Sequence, residues 1–310
     1  MTLFSKRATT SQSFALIIPQ GLRKFDYNIE FNFGNCMKTV IDLITYTLPI
    51  LYFSTVWVYA KAFFKDSIVA KRTKTPLLLG TLVIHMAYLL MRTILFNHPP
   101  ITTVFEIMSI VSFAIAAAYA VIEFQTKAKN TGYFILILAF LFQTFSSLFI
   151  EDLYEVKPIL RSNLLGIHVS SALLGLAAIT ISAVYAFLYL MLYHHIKSSR
   201  FGVIYTKLPN LEMLEKMSML SIVIGFILFT IAIAVGLIWL PRAFDNFSYF
   251  DPKLVGTVFI WAMYGVGLAA KKTIGWQGRK IMILSIIAFA VSFFSLTIVN
   301  VYFSGFHKFY

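Results

Sequence analysis

Residues 236–254 read GLIWLPRAFDNFSYFDPKL, residues 255–270 VGTVFIWAMYGVGLAA and residues 271–280 KKTIGWQGRK. An apolar helix is expected to end near Trp239. A polar, aromatic loop follows, closed by Asp251-Pro252-Lys253; a second apolar helix begins there and ends in a basic turn. The rings of the loop and its edge include Trp239, Phe244, Phe247 and Phe250. Between two membrane helices, such a loop either lies flat on a bilayer surface or holds a flat hydrophobic ligand.

Composition supports the membrane half of that reading. Hydrophobic residues make up 59% of the 310 and charged residues 13%, with a mean hydropathy of +0.81; soluble domains carry about 25% charged residues. Runs of about 20 apolar residues, enough to cross a hydrocarbon core, recur from Met37 onward. The expected fold is therefore an all-α polytopic membrane protein, a bundle of about eight transmembrane helices. The spans read as 38–63, 77–96, 102–124, 131–150, 164–194, 217–240, 254–270 and 281–304. Residues 1–36 form a polar, basic N-terminal tail and residues 37–310 a membrane-embedded domain, with no appended soluble domain expected. The patch Phe14–Pro19 is too short to span, and no small-residue cleavage pattern follows it. The single cysteine, Cys36, excludes an intramolecular disulfide and a CxxC thiol relay.

The net charge of +13 would suggest nucleic acid in a soluble protein. Here it is explained by the bias of cations toward the cytoplasmic loops, and no nucleic-acid partner is expected. Odd-numbered connections hold Lys65, Lys71, Arg72, Lys74, Lys127, Lys129, Lys197, Arg200, Lys207, Lys216, Lys271, Lys272, Arg279 and Lys280. Even-numbered ones hold only Arg92, Lys157, Arg161, Arg242 and Lys253. Odd loops then face the cytoplasm of a bacterial-type inner (plasma) membrane, and both termini lie outside. Lys6, Arg7, Arg23 and Lys24 run against this orientation. His98, His168 and His307 fall at the outer face with the aromatic loop, His85 at mid-membrane, and His194-His195 at the cytoplasmic end of the fifth span.

Two histidines on different helices, His168 and His307, can clamp a haem iron, for which neutral imidazole is a good axial ligand. The alternative is that both are interfacial residues bonded to headgroups or backbone. His85 within LVIHMAYLLMR is an ionisable group at mid-membrane, a functional candidate by position; the alternative is a neutral ring bonded to a Ser or Thr of a neighbouring helix. Glu106 sits where a carboxylate caps a helix N-terminus. Glu123 and Glu151 are expected to be solvated at span ends, and His194-His195 with Lys197 to form a solvated flank. No Walker loop, nucleophile elbow, HExxH or GxGxxG occurs, so nothing supports an ATPase, a hydrolase or a soluble dehydrogenase.

Several of these segments occur in a characteristic order. His85 to Arg92 precedes Pro100-Ile101-Thr102-Thr103-Val104-Phe105-Glu106; His168-Val169 opens a long helix; Leu208-Pro209-Asn210-Leu211-Glu212 follows. Then come the loop Gly236–Leu254, the turn Gly275-Trp276-Gln277-Gly278, and Val299-Asn300 with Gly305-Phe306-His307. Over about residues 77–310 this resembles the CcsA branch of the cytochrome c assembly family of haem-handling membrane proteins. The chain departs from the family at Phe244, Ser248 and Phe250, which stand where the family carries tryptophan. Leu254 stands where it carries Glu, and Ala269 where it carries a second in-membrane His.

The resemblance implies haem b as a transient cargo, with His168 and His307 as axial ligands. Phe244, Phe247, Phe250 and Asp251, with the retained Trp239, would line a haem shelf, and His85 would mark an inner site. It further implies membrane lipid, apocytochrome c and a cytochrome-holding assembly partner, and an assembly factor rather than a stand-alone enzyme. A HemX-like membrane regulator of haem synthesis is the main alternative. A small-solute transporter is a weaker one, since internal symmetry and broken spans are not evident in the sequence.

Overall fold

The computed structural model describes residues 20–126, 130–154, 163–243, 249–250 and 252–295. Among these residues there are nine helices and no strand. They are α1 (Gln20–Phe64), α2 (Ile68–Phe96), α3 (Val104–Gln125), α4 (Gly132–Phe149), α5 (Asn163–Lys197), α6 (Val203–Lys207), α7 (Leu211–Ala243), α8 (Pro252–Thr273) and α9 (Arg279–Phe294). Seven of them are long and apolar enough to cross a membrane: α1 over Gly34–Phe64, α2, α3, α4, α5 from Leu164, α7 to Pro241, and α8 from Leu254. This is a multi-pass, all-helical membrane protein. The eighth expected span begins as α9, and its continuation to residue 304 lies outside the described residues.

Local chemistry sets several helix ends. The Ser67 hydroxyl accepts from the Ala70 N–H and starts α2. Asn97, at φ 55°, ends that helix in the left-handed conformation that Asn tolerates. Thr103 and Glu106 form a reciprocal capping box at the start of α3. The Gly275–Gly278 turn between α8 and α9 has φ of +70° and +59° at its two glycines, which side-chain-bearing residues rarely adopt.

The helices pack as two groups. In the first, α1 and α2, α3 and α4, and α1 and α4 are paired. In the second, α5 packs chiefly on α7 and α9, and α8 against α7 and α9; α3 joins the groups through α5. α5 is the central element, with 78% of its apolar window buried. Its seam with α7 is close because small residues face each other: a Cβ placed on Gly225 would stand 2.7 Å from Ile179 Cγ2 and 3.3 Å from the Gly175 carbonyl oxygen. The first group buries a polar stripe instead. Thr45, Tyr52, Thr55 and Tyr59 on α1 face Thr81, His85, Tyr88 and Arg92 on α2, all inside the bundle.

Two ends of the molecule can be distinguished. The connections 150–163 and 243–252 share one, the loop face; the turns after α1, α3 and α8 share the other, the basic face. Three features differ from the sequence expectation. α1 begins at Gln20, inside the segment read as a tail. Lys71, Arg72 and Lys74 belong to α2 and not to a loop, because the Ser67 cap starts the helix nine residues before the apolar run. The short α6 was not expected.

Candidate functional site

The His168 ring stands on the first turns of α5 and leans on α7. Its Nδ1 lies 2.8 Å from the carbonyl oxygen of Ala232. A carbonyl oxygen only accepts, so Nδ1 carries the proton and donates, and in the neutral ring Nε2 holds the lone pair. A Cβ placed on Gly236 would stand 2.9 Å from both Cε1 and Nδ1 of this ring. Ala232, Gly236, Trp239 and Leu240 are all buried, and their spacing puts them on one side of α7, the side toward α5.

Around this ring the sequence-derived shelf is only partly described. Trp239 lies within α7 and is buried, not out on the loop, because the helix continues past it to Ala243. Phe250 is 87% exposed in the connection between α7 and α8. Phe244, Phe247, Asp251 and His307 lie outside the described residues.

His85 occupies a different environment. Its Nε2 is 3.0 Å from Ser109 Oγ and its Nδ1 2.9 Å from Tyr52 Oη. Ser109 spends its one hydroxyl proton on Gln143 Oε1, at 3.1 Å. Ser109 therefore accepts from His85 Nε2–H, and Tyr52 donates to Nδ1. Gln143 Nε2 donates onward to Ser147 Oγ at 3.0 Å, so the donors run in one direction from α1 through α2 and α3 into α4. Both ring nitrogens of His85 are thus committed, and the residue is fully buried. Ala269 sits on α8, in the other helix group.

At the loop face Arg92 gathers three acceptors: Asp152 Oδ1 at 3.0 Å, Glu106 Oε1 at 3.2 Å and the Glu151 carbonyl at 3.1 Å. Glu106 in turn accepts from Thr102 N–H and hydroxyl at 2.9 and 2.6 Å through its other oxygen. It is thus both the expected cap and half of a buried ion pair. His98, also buried, faces the carbonyls of Pro99 and Leu153 at 2.9 and 2.8 Å. This network ties the 97–103 loop to the 150–154 segment.

At the basic face Glu123 corrects the sequence reading, for it is buried and not solvated. Lys74 Nζ lies 3.0 Å from its Oε1, Thr75 donates to the same oxygen at 2.8 Å, and Tyr59 donates to Oε2. Outside the membrane, Lys71 and then Lys207 hold the Asp66 carboxyl below the usual carboxylate range. Glu151 is exposed as expected, and so is His194.

Sequence reasoning missed the role of Ala232 and Gly236. Neither carries a functional group, and only the initial Gly of the loop motif drew notice. It also counted Arg92 as a loop cation.

Comparison with known proteins places this geometry in a family. The family described as Cytochrome C assembly protein matches residues 100–307. The chain is 25% identical over 308 residues to a "Cytochrome c biogenesis protein CcsA" of Guillardia theta, covering 91% of this chain and 98% of that protein. A protein of the same description from Prochlorococcus marinus (strain MIT 9301) is 28% identical over 244 residues, covering 71% and 79%. One from Chlamydomonas reinhardtii is 29% identical over 153 residues, covering 49% and 42%. The family match starts at Pro100 and takes in the Thr103–Glu106 cap, His168, the α7–α8 loop and His307, while His85 and Arg92 precede it. Since it extends over about two thirds of the sequence, the chain belongs to the cytochrome c assembly protein family.

Proposed function

We propose that this protein binds haem b transiently at its loop face and presents it there for attachment to apocytochrome c during c-type cytochrome maturation. The observation that carries the reading is the hydrogen bond from His168 Nδ1–H to the Ala232 carbonyl. It makes Nε2 the lone-pair nitrogen, the arrangement that orients a metal-ligating imidazole and raises its basicity. Haem, when bound, supplies an iron that accepts such a nitrogen axially.

On this reading His168 and His307 are the two axial donors. Phe244, Phe247 and Phe250 offer ring faces to a flat macrocycle, although Phe lacks the N–H that an indole would add. Trp239 backs the shelf from within α7, and Asp251 closes the loop. The loop face is the outer face of a bacterial-type plasma membrane, both termini lie on that side, and the aromatic loop rests against membrane lipid. The chain acts as an assembly factor beside a partner that holds the apocytochrome.

His85 does not fit an iron ligand in its present hydrogen bonds, since ligation requires one of them to be given up. The inner site is therefore assigned no step. The same observation, with the tryptophans replaced by Phe244, Ser248 and Phe250, favours the second reading, a HemX-like regulator of haem synthesis. The test is haem per protein after purification in mild detergent, with the reduced absorption spectrum. Haem lost on His168→Ala supports delivery or sensing at the loop face; protein that never carries or takes up haem removes both readings.

A further inference from the structure

We infer that Gly236 is a positioning residue for the His168 imidazole. The α7 backbone from Ala232 to Gly236 forms a seat without a Cβ. It holds the ring with Nδ1–H on the Ala232 carbonyl, which leaves the lone pair on Nε2. The haem half of this inference rests on the function proposed above; the tautomer half stands without it.

Three observations carry it. The Ala232 carbonyl is the one that the α-helical pattern pairs with the Gly236 N–H. The ring therefore lies across a single helical turn, bonded at one end of it and in contact with the other. Its Nδ1 is 2.8 Å from that oxygen. A Cβ on Gly236 would stand 2.9 Å from both Cε1 and Nδ1, the two atoms nearest the bond. An imidazole is rigid beyond its χ2 torsion, so it meets such a Cβ only by turning as a whole, and turning withdraws Nδ1 from the carbonyl.

Nor can α7 retreat without cost. Lower on the same seam the two backbones already approach closely at Gly225 and Gly175, and parting them opens voids along α5. The rest of the α7 stripe is occupied: Ala232, Trp239 and Leu240 are buried beside the glycine. A glycine at 236 is thus what lets a histidine at 168 adopt this pose.

The chemical consequence concerns electron donation. A carbonyl that takes the Nδ1 proton makes Nε2 a stronger donor, and loss of such an outer partner lowers metal affinity about 10- to 100-fold. Gly236 therefore tunes the ligand without touching the cargo.

Two measurements test this. In the haem-free chain labelled with ¹⁵N-histidine, and with His168→Gln for assignment, His168 is expected as the Nδ1–H tautomer; an Nε2–H tautomer overturns the inference whether or not haem binds. In haem-loaded protein, Gly236→Ala is expected to lower haem affinity about tenfold or more, to shift the reduced α-band and to raise the midpoint potential. Gly225→Ala is the packing control, since its Cβ would stand 2.7 Å from Ile179 Cγ2 in the same seam. It is expected to lower thermal stability while leaving potential and spectrum unchanged. Wild-type protein that holds haem, with Gly236→Ala matching it in affinity, spectrum and potential, overturns the positioning role. Wild-type protein that binds no haem overturns the proposed function instead and leaves the tautomer measurement to decide the seat.

Discussion

The Arg92 guanidinium of α2 meets the Glu106 carboxylate of α3 at 3.2 Å, with 2% and 1% of the two side chains exposed. Removing one partner of such a pair leaves an uncompensated buried charge, at a cost of about 3–5 kcal/mol. Arg92→Leu is therefore expected to lower the detergent-solubilised Tm sharply. Arg92→Lys is expected to recover only part of the loss, because an ammonium cannot reproduce the fork that reaches Glu106, Asp152 and the Glu151 carbonyl together. Arg92→Leu with Glu106→Leu should be less destabilised than the sum of the singles. An Arg92→Leu protein as stable as wild type would show that the pair contributes nothing.

His168 and His307, as ligands to one iron, act as a unit. His168→Ala and His307→Ala are each expected to lower haem content or shift its spectrum, and the double variant to be little worse than the worse single. Additive losses measured by haem quantification would place the two residues in separate sites.

His85 is expected to matter more to the bundle than to haem. His85→Ala removes the acceptor of the Tyr52 hydroxyl and one donor to Ser109, and a buried polar group left unpaired costs about 1–3 kcal/mol. Its Tm should fall while haem content falls less than in His168→Ala. Ala269→His should add no bis-histidine spectral component, because α8 packs with α7 and α9 while α2 packs with α1 and α3. Such a component, or loss of haem in His85→Ala alone, would reverse this ranking of the two sites.

A topology reporter fused after Tyr310 is expected to read as external, and a cysteine placed at Phe250 to react with an impermeant thiol reagent from outside. Cytoplasmic activity at the fusion would invert the orientation drawn from the basic loops.

Asp66 in the α1–α2 turn pairs with Lys71 of α2 at 2.7 Å and latches the turn to α6 through Lys207 at 3.1 Å. Its pKa is depressed in the folded protein. The latch therefore contributes above the unfolded carboxylate value of about 3.9 and is lost as pH falls through the lower folded value. Protease nicking between residues 198 and 210 should be faster in Asp66→Asn than in wild type at pH 7. Comparing the thermal stability of the two proteins across pH 2–5 should show their difference shrinking below pH about 4; a constant difference would count against the latch.

The spans were legible because bilayer thickness imposes a length that apolar runs display directly. The capping role of Glu106 was legible because a carboxylate in the first turn of a helix is a local feature; its partner Thr103 in the box was not named. Glu123 was misread for the opposite reason: Tyr59, Thr75 and Lys74 lie on α1 and α2, far away along the chain. His168 could be suspected from its place at a helix start. Its partner is a backbone carbonyl on α7, and main-chain atoms leave no mark in a sequence. The close α5–α7 seam likewise rests on glycines whose significance appears only when the facing helix is known.

At about 1.5 Å per residue, the 45-residue α1 is about 68 Å long. A hydrocarbon core takes only about 30 Å, so a helix of this length extends beyond it. A continuous helix sets height and compass bearing together. Removing two residues there turns whatever precedes Gln20 by about 200° and lowers it by about 3 Å; removing seven lowers it by about 10 Å and nearly restores the bearing. The first helix thus acts as a graduated mast, on which reach and direction can be varied separately.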